Sequence, residues 1–168
     1  METDRVKFEI IKENYIQDLR ELFCQNEAVM KTTLKGRVFT EGEVSKLLDE
    51  EFCKSEDDIF GFRCIILKST HDMIGVTGLL SCEYLNTKGF EFGFILNHNE
   101  WGKGLATEIG QFWLDYAKTE LNLTELFATV SPENLASKRV LEKLNMNCIA
   151  KVNDSTRGER LIMNKKLS

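Results

Sequence analysis

The sequence predicts a single α/β (α+β) domain in which a mixed, mostly antiparallel central sheet is flanked by helices. Three observations carry that expectation. The chain has 168 residues, the length of one domain with a substantial core. Short strand-like runs and amphipathic helical stretches follow one another in the order β-αα(α)-βββ-α-β-α-ββ, without repeats, linkers or low-complexity tracts. A glycine turn, Gly102-Lys103-Gly104, then joins an apolar strand directly to a helix.

Taken in order, residues 5–11 read as the first strand, with Val6, Phe8 and Ile10 alternating against charged neighbours. Asn14 is placed to cap a helix in which Ile16, Leu19, Leu22 and Phe23 recur at helical spacing. A second short helix is expected over residues 27–34, ended by Gly36. Thr40-Glu41-Gly42-Glu43 has the form of a capping box, and Val44, Leu47, Leu48 and Phe52 mark one face of the helix it opens. Residues 60–67 and 73–82 read as strands joined by a turn around His71, a solvated loop residue.

The fourth strand, residues 89–96, is the informative one. Phe90, Phe92, Phe94 and Leu96 fall on one face, and Glu91, Gly93 and Ile95 on the other. A carboxylate in the middle of a central strand is costly unless it is paired or faces a wet cleft, so Glu91 is a candidate functional residue. In the helix after the glycines, Leu105, Ile109, Phe112 and Tyr116 form an apolar stripe flanked by Trp113. Residues 126–130 read as a fifth strand and 134–144 as a helix. A closing hairpin takes 148–152 and 160–166 around a turn at 154–158.

Composition narrows the function. The net charge of −5 argues against nucleic-acid binding and is compatible with a cationic acceptor. The first residues are charged, with no apolar run typical of a secretory signal, and no apolar stretch is long enough to span a bilayer. A cytoplasmic protein that binds neither membrane nor nucleic acid, as monomer or homodimer, is expected. The five cysteines form no metal-ligand spacing and read as reduced core thiols, with Cys148 nearest the expected cleft. No metal is expected.

The glycine turn carries the chemistry. The first turn of a helix leaves backbone N–H groups unpaired at the positive end of the macrodipole, and glycines at 102 and 104 would let a phosphate reach them. The segment is not a P-loop, because Lys103 is followed by Gly104 rather than Ser or Thr. It is not a dinucleotide fingerprint either, because Thr107 stands where a third small residue is needed.

The chain resembles the GNAT superfamily of acetyl-CoA-dependent N-acetyltransferases on three segments: Glu91-Phe92-Gly93-Phe94, Trp101 to Glu108, and Asn134 to Leu144. Their order and spacing are most similar to the branch containing ribosomal-protein alanine N-acetyltransferases (RimJ/RimL-like) and spermidine acetyltransferases. That resemblance implies acetyl-CoA as co-substrate. Its diphosphate would lie on the amides of Asn99, Gly102, Lys103, Gly104, Leu105 and Ala106, and its pantetheine would pair with backbone near Ile95 and Leu96 where strands four and five splay apart. Lys103 either adds a charge to a phosphate or is a solvated lysine. Trp101 packs over the turn or lines the site.

By the same resemblance Asn134 contacts pantetheine while capping its helix, and Ser137 is the candidate acid that protonates the departing sulfur. Glu91 is the candidate base, directly or through a water, with acceptor binding as its other role. The sequence departs from the wider superfamily at Leu141, where many members carry an acidic tyrosine, and at Asn145-Met146, where Gly-Phe is usual. Asn145 tolerates the left-handed conformation that glycine supplies. The implied acceptor is a primary amine, a protein N-terminus or a small amine or polyamine. The missing tyrosine leaves a catalytically silent acyl-CoA-binding module as the alternative.

Overall fold

The computed structural model describes residues 1–167. Seven strands form one sheet in the order β1-β2-β3-β4-β5-β7-β6. These are β1 (Val6–Glu9), β2 (Gly61–Leu67), β3 (Met73–Tyr84), β4 (Thr87–Leu96), β5 (Glu125–Val130), β6 (Asn147–Asp154) and β7 (Gly158–Lys166). Every pairing is antiparallel except β4 with β5. The β3–β4 hairpin turns on Leu85 and Asn86, both at positive φ, as a two-residue turn matched to strand twist requires.

Helices cover both faces. On one lie α1 (Ile16–Arg20), a π-helical turn (Glu21–Gln25), α2 (Glu27–Met30) and α3 (Glu41–Glu51), which bury Leu19, Phe23, Met30 and Val44 against Cys64, Val76 and Ile95. On the other lie α4 (Leu105–Thr119) and α5 (Leu135–Lys143), which bury Leu105, Ile109, Trp113 and Leu141 against Phe8, Phe92 and Leu96. Trp113, expected only to flank the apolar stripe, is its centre. It is fully buried, and its indole N–H donates to Thr77 Oγ1 (2.8 Å), whose hydroxyl donates to the Gly93 carbonyl (2.7 Å).

The capping box forms as expected: the Glu43 amide donates to Thr40 Oγ1, and Glu43 returns a carboxylate to the Thr40 amide. Helix α5 ends with Asn145 at φ +57°. The Met146 amide donates to Leu141 O and the Asn145 amide to Glu142 O, the pattern in which a left-handed residue closes a helix.

The N-terminal helical region departs from expectation. Asn14 caps nothing. The chain enters α1 through a 3₁₀ turn, Glu13–Tyr15, because the Tyr15 hydroxyl is held by Glu9 Oε2 (2.7 Å). The helix expected over 27–34 stops at Met30, where tight turns take over (Thr33 N–H to Met30 O, Gly36 N–H to Thr33 O) and Leu34 adopts φ +48°. No helix among the described residues is long and apolar enough to cross a membrane.

Candidate active site

The parallel pair opens the sheet. β4 and β5 share one registered pair, Glu91 with Phe127, and beyond it they part around a cleft of about 630 Å³. The Asn97 amide donates to Ile74 O (2.8 Å), toward β3. Strand backbone alternates, so the polar backbone groups of Phe94 and Leu96 point the opposite way, into the gap. The Leu96 carbonyl there accepts the Trp101 indole N–H (3.0 Å). Ile95 is different: its carbonyl faces β3, so near that a Cβ at Gly75 would lie 2.1 Å from it. The backbone expected at Ile95 and Leu96 to meet an extended ligand is thus that of Phe94 and Leu96. Ile95 contributes its side chain to the lining.

After β4 comes a 3₁₀ turn, His98–Glu100, and then Gly102 at φ +75° and Gly104 at φ +78°, the residue that precedes α4. Glycine adopts these angles without strain and leaves no side chain over the amides. No side chain caps α4, so its first-turn amides are free. Gly102, Gly104, Leu105 and Ala106 line the cleft, as does half-exposed Trp101, a lining residue rather than a packed one. This set fits a diphosphate: several amides converge, and no Cβ obstructs them at 102 or 104.

Lys103 and Asn99 stand apart from that lining. Lys103 is exposed, ion-paired to Glu100 (3.0 Å), with its carbonyl taken by Arg5 Nη1 (2.8 Å). Asn99 lines a different cavity, of about 440 Å³, beside Asn97 and His98. The left-handed residues on either side of Lys103 turn it away from the cleft.

Helix α5 supplies the facing wall. Asn134 Oδ1 accepts the Ser137 amide (3.1 Å), which leaves the Asn134 side-chain amide for a ligand. Asn134 and Ser137 line both the large cleft and a second cavity of about 100 Å³ that adjoins it. Among the described residues the Ser137 hydroxyl has no hydrogen-bond partner. Leu141 is buried in the wall of the smaller cavity, where it can neither give nor take a proton.

Glu91 lies in that smaller cavity. Its Oε2 accepts the Tyr84 hydroxyl (2.7 Å). Burial pushes the Glu91 pKa up, against the pull of Tyr84, Arg157, Thr129 and Arg160. Burial, and then the Glu91 charge, raises the Tyr84 phenol well above its usual range. Arg157 sits beside Asp154 (3.5 Å) and Thr129 Oγ1 (3.5 Å). Arg160 is 5% exposed and donates to the Leu34 carbonyl, while its Nε has no partner.

Sequence reasoning missed Tyr84, Arg157 and Arg160. One signal was available: Arg160 shares a strand face with fully buried Ile162, so an arginine stands where alternation points inward. Cys148, expected near the cleft, lines neither cavity. It is exposed on β6, where its thiol faces the Ala150 carbonyl (3.7 Å). Among the described residues no cluster of His, Cys, Asp or Glu could hold a metal ion.

Residues 5–147 match the acetyltransferase (GNAT) domain family. The chain belongs to the GNAT family. It is 31% identical over 139 residues to the uncharacterized N-acetyltransferase YnaD of Bacillus subtilis, covering 79% of this chain and 78% of that one. It is 41% identical over 81 residues to the uncharacterized N-acetyltransferase p20 of Bacillus licheniformis, covering 48% of this chain and 45% of that protein's length. A GNAT-family acetyltransferase from Bacillus anthracis shares the fold with a TM-score of 0.78 at 22% identity, covering 99% of this chain and 98% of that one. Membership makes this an acetyl-CoA-dependent N-acetyltransferase domain. Gly104, Leu105 and Ala106 at the start of α4, and Phe94 and Leu96 of β4, face each other across the cleft of this GNAT chain.

Proposed function

We propose that residues 1–168 act as one domain that transfers an acetyl group from acetyl-CoA to a primary amine in the cytoplasm. The observation that carries the reading is the position of Ser137: its unpartnered hydroxyl lies where the cleft with the free α4 amides meets the cavity that holds Glu91. A thioester anchored at one end and an amine entering from the other would meet there. Glu91 takes a proton from the amine as its nitrogen bonds to the acetyl carbon, directly or through a water. Ser137 gives its hydroxyl proton to the sulfur as the C–S bond breaks, and the proton taken up by Glu91 returns through solvent to restore the serine hydroxyl. A raised pKa suits Glu91 to this work, because a base is most effective when its pKa nears the working pH. Tyr84 holds the carboxylate in place.

The resemblance reaches enzymes for protein N-termini and for polyamines. Arg157 and Arg160 favour the first, because guanidinium groups lining the acceptor cavity repel a polycation but not a single amine that arrives uncharged. The reading is therefore an α-amine acceptor, as in the ribosomal-protein alanine branch. Leu141 favours the rival, a binding module without turnover.

Thiol release from acetyl-CoA, measured across peptides beginning with Ala or Ser, free amino acids, spermidine and an aminoglycoside, separates these readings. Release with an α-amine acceptor is the expected result. No release with any acceptor, while acetyl-CoA still raises the melting temperature, would leave the binding module.

A further inference from the structure

The acceptor-side cavity holds a guanidinium for which the described residues supply no ion-pair partner. Arg157 is matched: Asp154 lies 3.5 Å from its Nε, and Glu91 and Tyr84 raise its pKa despite burial. Arg160 is not matched. No carboxylate among the described residues lies within ion-pair distance of it, its one acceptor is the Leu34 carbonyl, and its Nε has no partner at 5% exposure. The charged groups around it are Arg157, Asp154 and Glu91, with the neutral Tyr84 phenol beside them; burial and then Arg157 lower its pKa, and Asp154, Glu91 and Tyr84 only partly offset them. A buried guanidinium without a directly paired carboxylate carries an uncompensated desolvation penalty. An anion supplied by a ligand would remove that cost.

The cavity sets the size of that anion. About 100 Å³ is room for about three water molecules at about 30 Å³ each, enough for a carboxylate and a methylene. A planar guanidinium matches a carboxylate better than it matches any neutral group. Glu91 and Ser137 line the same small space, so an anion there would sit only a few bonds from the amine being acetylated.

We propose that Arg160, with Arg157 beside it, forms a carboxylate subsite, and that the acceptor is an amine carrying a carboxylate close to its reacting nitrogen. This deepens the transferase reading and rests on it for the word acceptor. The carboxylate has two sources: the α-carboxylate of a free amino acid, or an acidic side chain on the first residue of a peptide.

The test is binding, so that it stands apart from turnover. With CoA present, N-acetylalanine, the α-amide of N-acetylaspartate, and uncharged N-acetylalaninamide are titrated calorimetrically into the protein. One of the two carboxylates is expected to bind at least tenfold tighter than the amide control, and which one it is names the source. Arg160→Gln is expected to abolish that advantage, and Arg160→Lys, which keeps the charge but loses the planar fork, to reduce it. Equal affinity for all three compounds, or a carboxylate advantage that survives in a folded Arg160 variant, overturns the subsite. Carboxylate binding without turnover on any amine would sink the transferase reading alone; turnover with no carboxylate preference would sink this one alone.

Discussion

Replacing Glu91 with glutamine isolates the proton-accepting role, because the amide keeps the shape and keeps an oxygen to accept the Tyr84 hydroxyl at its present 2.7 Å. What is lost is the base. General-base catalysis contributes about 100-fold to 10,000-fold, so kcat/KM for the amine is expected to fall by that factor at saturating acetyl-CoA. The pH profile sharpens the test. Burial raises the Glu91 pKa, so the wild-type rate should rise with pH along an acid limb displaced above the ordinary glutamate range, and the limb should vanish in the variant. Stability runs the other way. Between the unfolded and the raised folded pKa the native state holds more protons than the unfolded chain, so stability is lost as pH rises through that window. At neutral pH the charged carboxylate therefore destabilises the fold, and Glu91→Gln should melt at the same temperature or higher. Stopped-assay kinetics and a thermal melt on the same preparation decide it. An unchanged rate and limb would remove Glu91 from the proton transfer, and a rate loss that tracks a lower melting temperature would make its role structural.

Gly104→Val should raise the KM for acetyl-CoA more than tenfold and cost about 1–2 kcal/mol of stability. A branched side chain is strained at φ +78°, and the adjoining amides would shift, as coenzyme titration and denaturant unfolding can show. Ser137→Ala should lower kcat about 100-fold with the melting temperature unchanged, because the α5 cap uses the Ser137 amide and not its hydroxyl; an unchanged kcat would make a water the acid. Thr77→Val should cost about 1–3 kcal/mol by leaving the Trp113 indole N–H without its acceptor and the Gly93 carbonyl without its donor, read as a lower melting temperature.

The succession of strands and helices along the chain, the capping box and the left-handed close of α5 were legible because each is encoded within a few adjacent residues. Asn145 is an example: its type alone says that the helix can end there. Asn14 was misread because a cap is a competition. The Tyr15–Glu9 hydrogen bond, set by the approach of β1, outweighs a local preference. Lys103 and Asn99 belong to the right turn, but the direction each points depends on backbone angles at their neighbours. The arginines were hidden for another reason. In composition a charged hairpin reads as a solvated face; only the fold brings Arg160 of β7 under Leu34 and beside Glu91 of β4.

One parallel pairing in an otherwise antiparallel sheet accounts for where the chemistry can occur. Because β4 and β5 run the same way, the helix that follows each begins at the same edge: α4 after β4, α5 after β5. Two helix N-termini, each a source of positive potential and that of α4 also of uncapped amides, therefore converge on one gap. Antiparallel neighbours would send them to opposite edges. The pair cannot close its own gap, because α5 is held hard against α4: a Cβ added at Gly110 would lie 2.4 Å from Leu144 Cδ1. The backbone of Phe94 and Leu96, unpaired with β5 and met there only by the Trp101 indole at the Leu96 carbonyl, lies between the two N-termini. An extended ligand with an anionic end would satisfy both together, and in the proposed reaction its other end reaches the adjoining cavity that Glu91 lines.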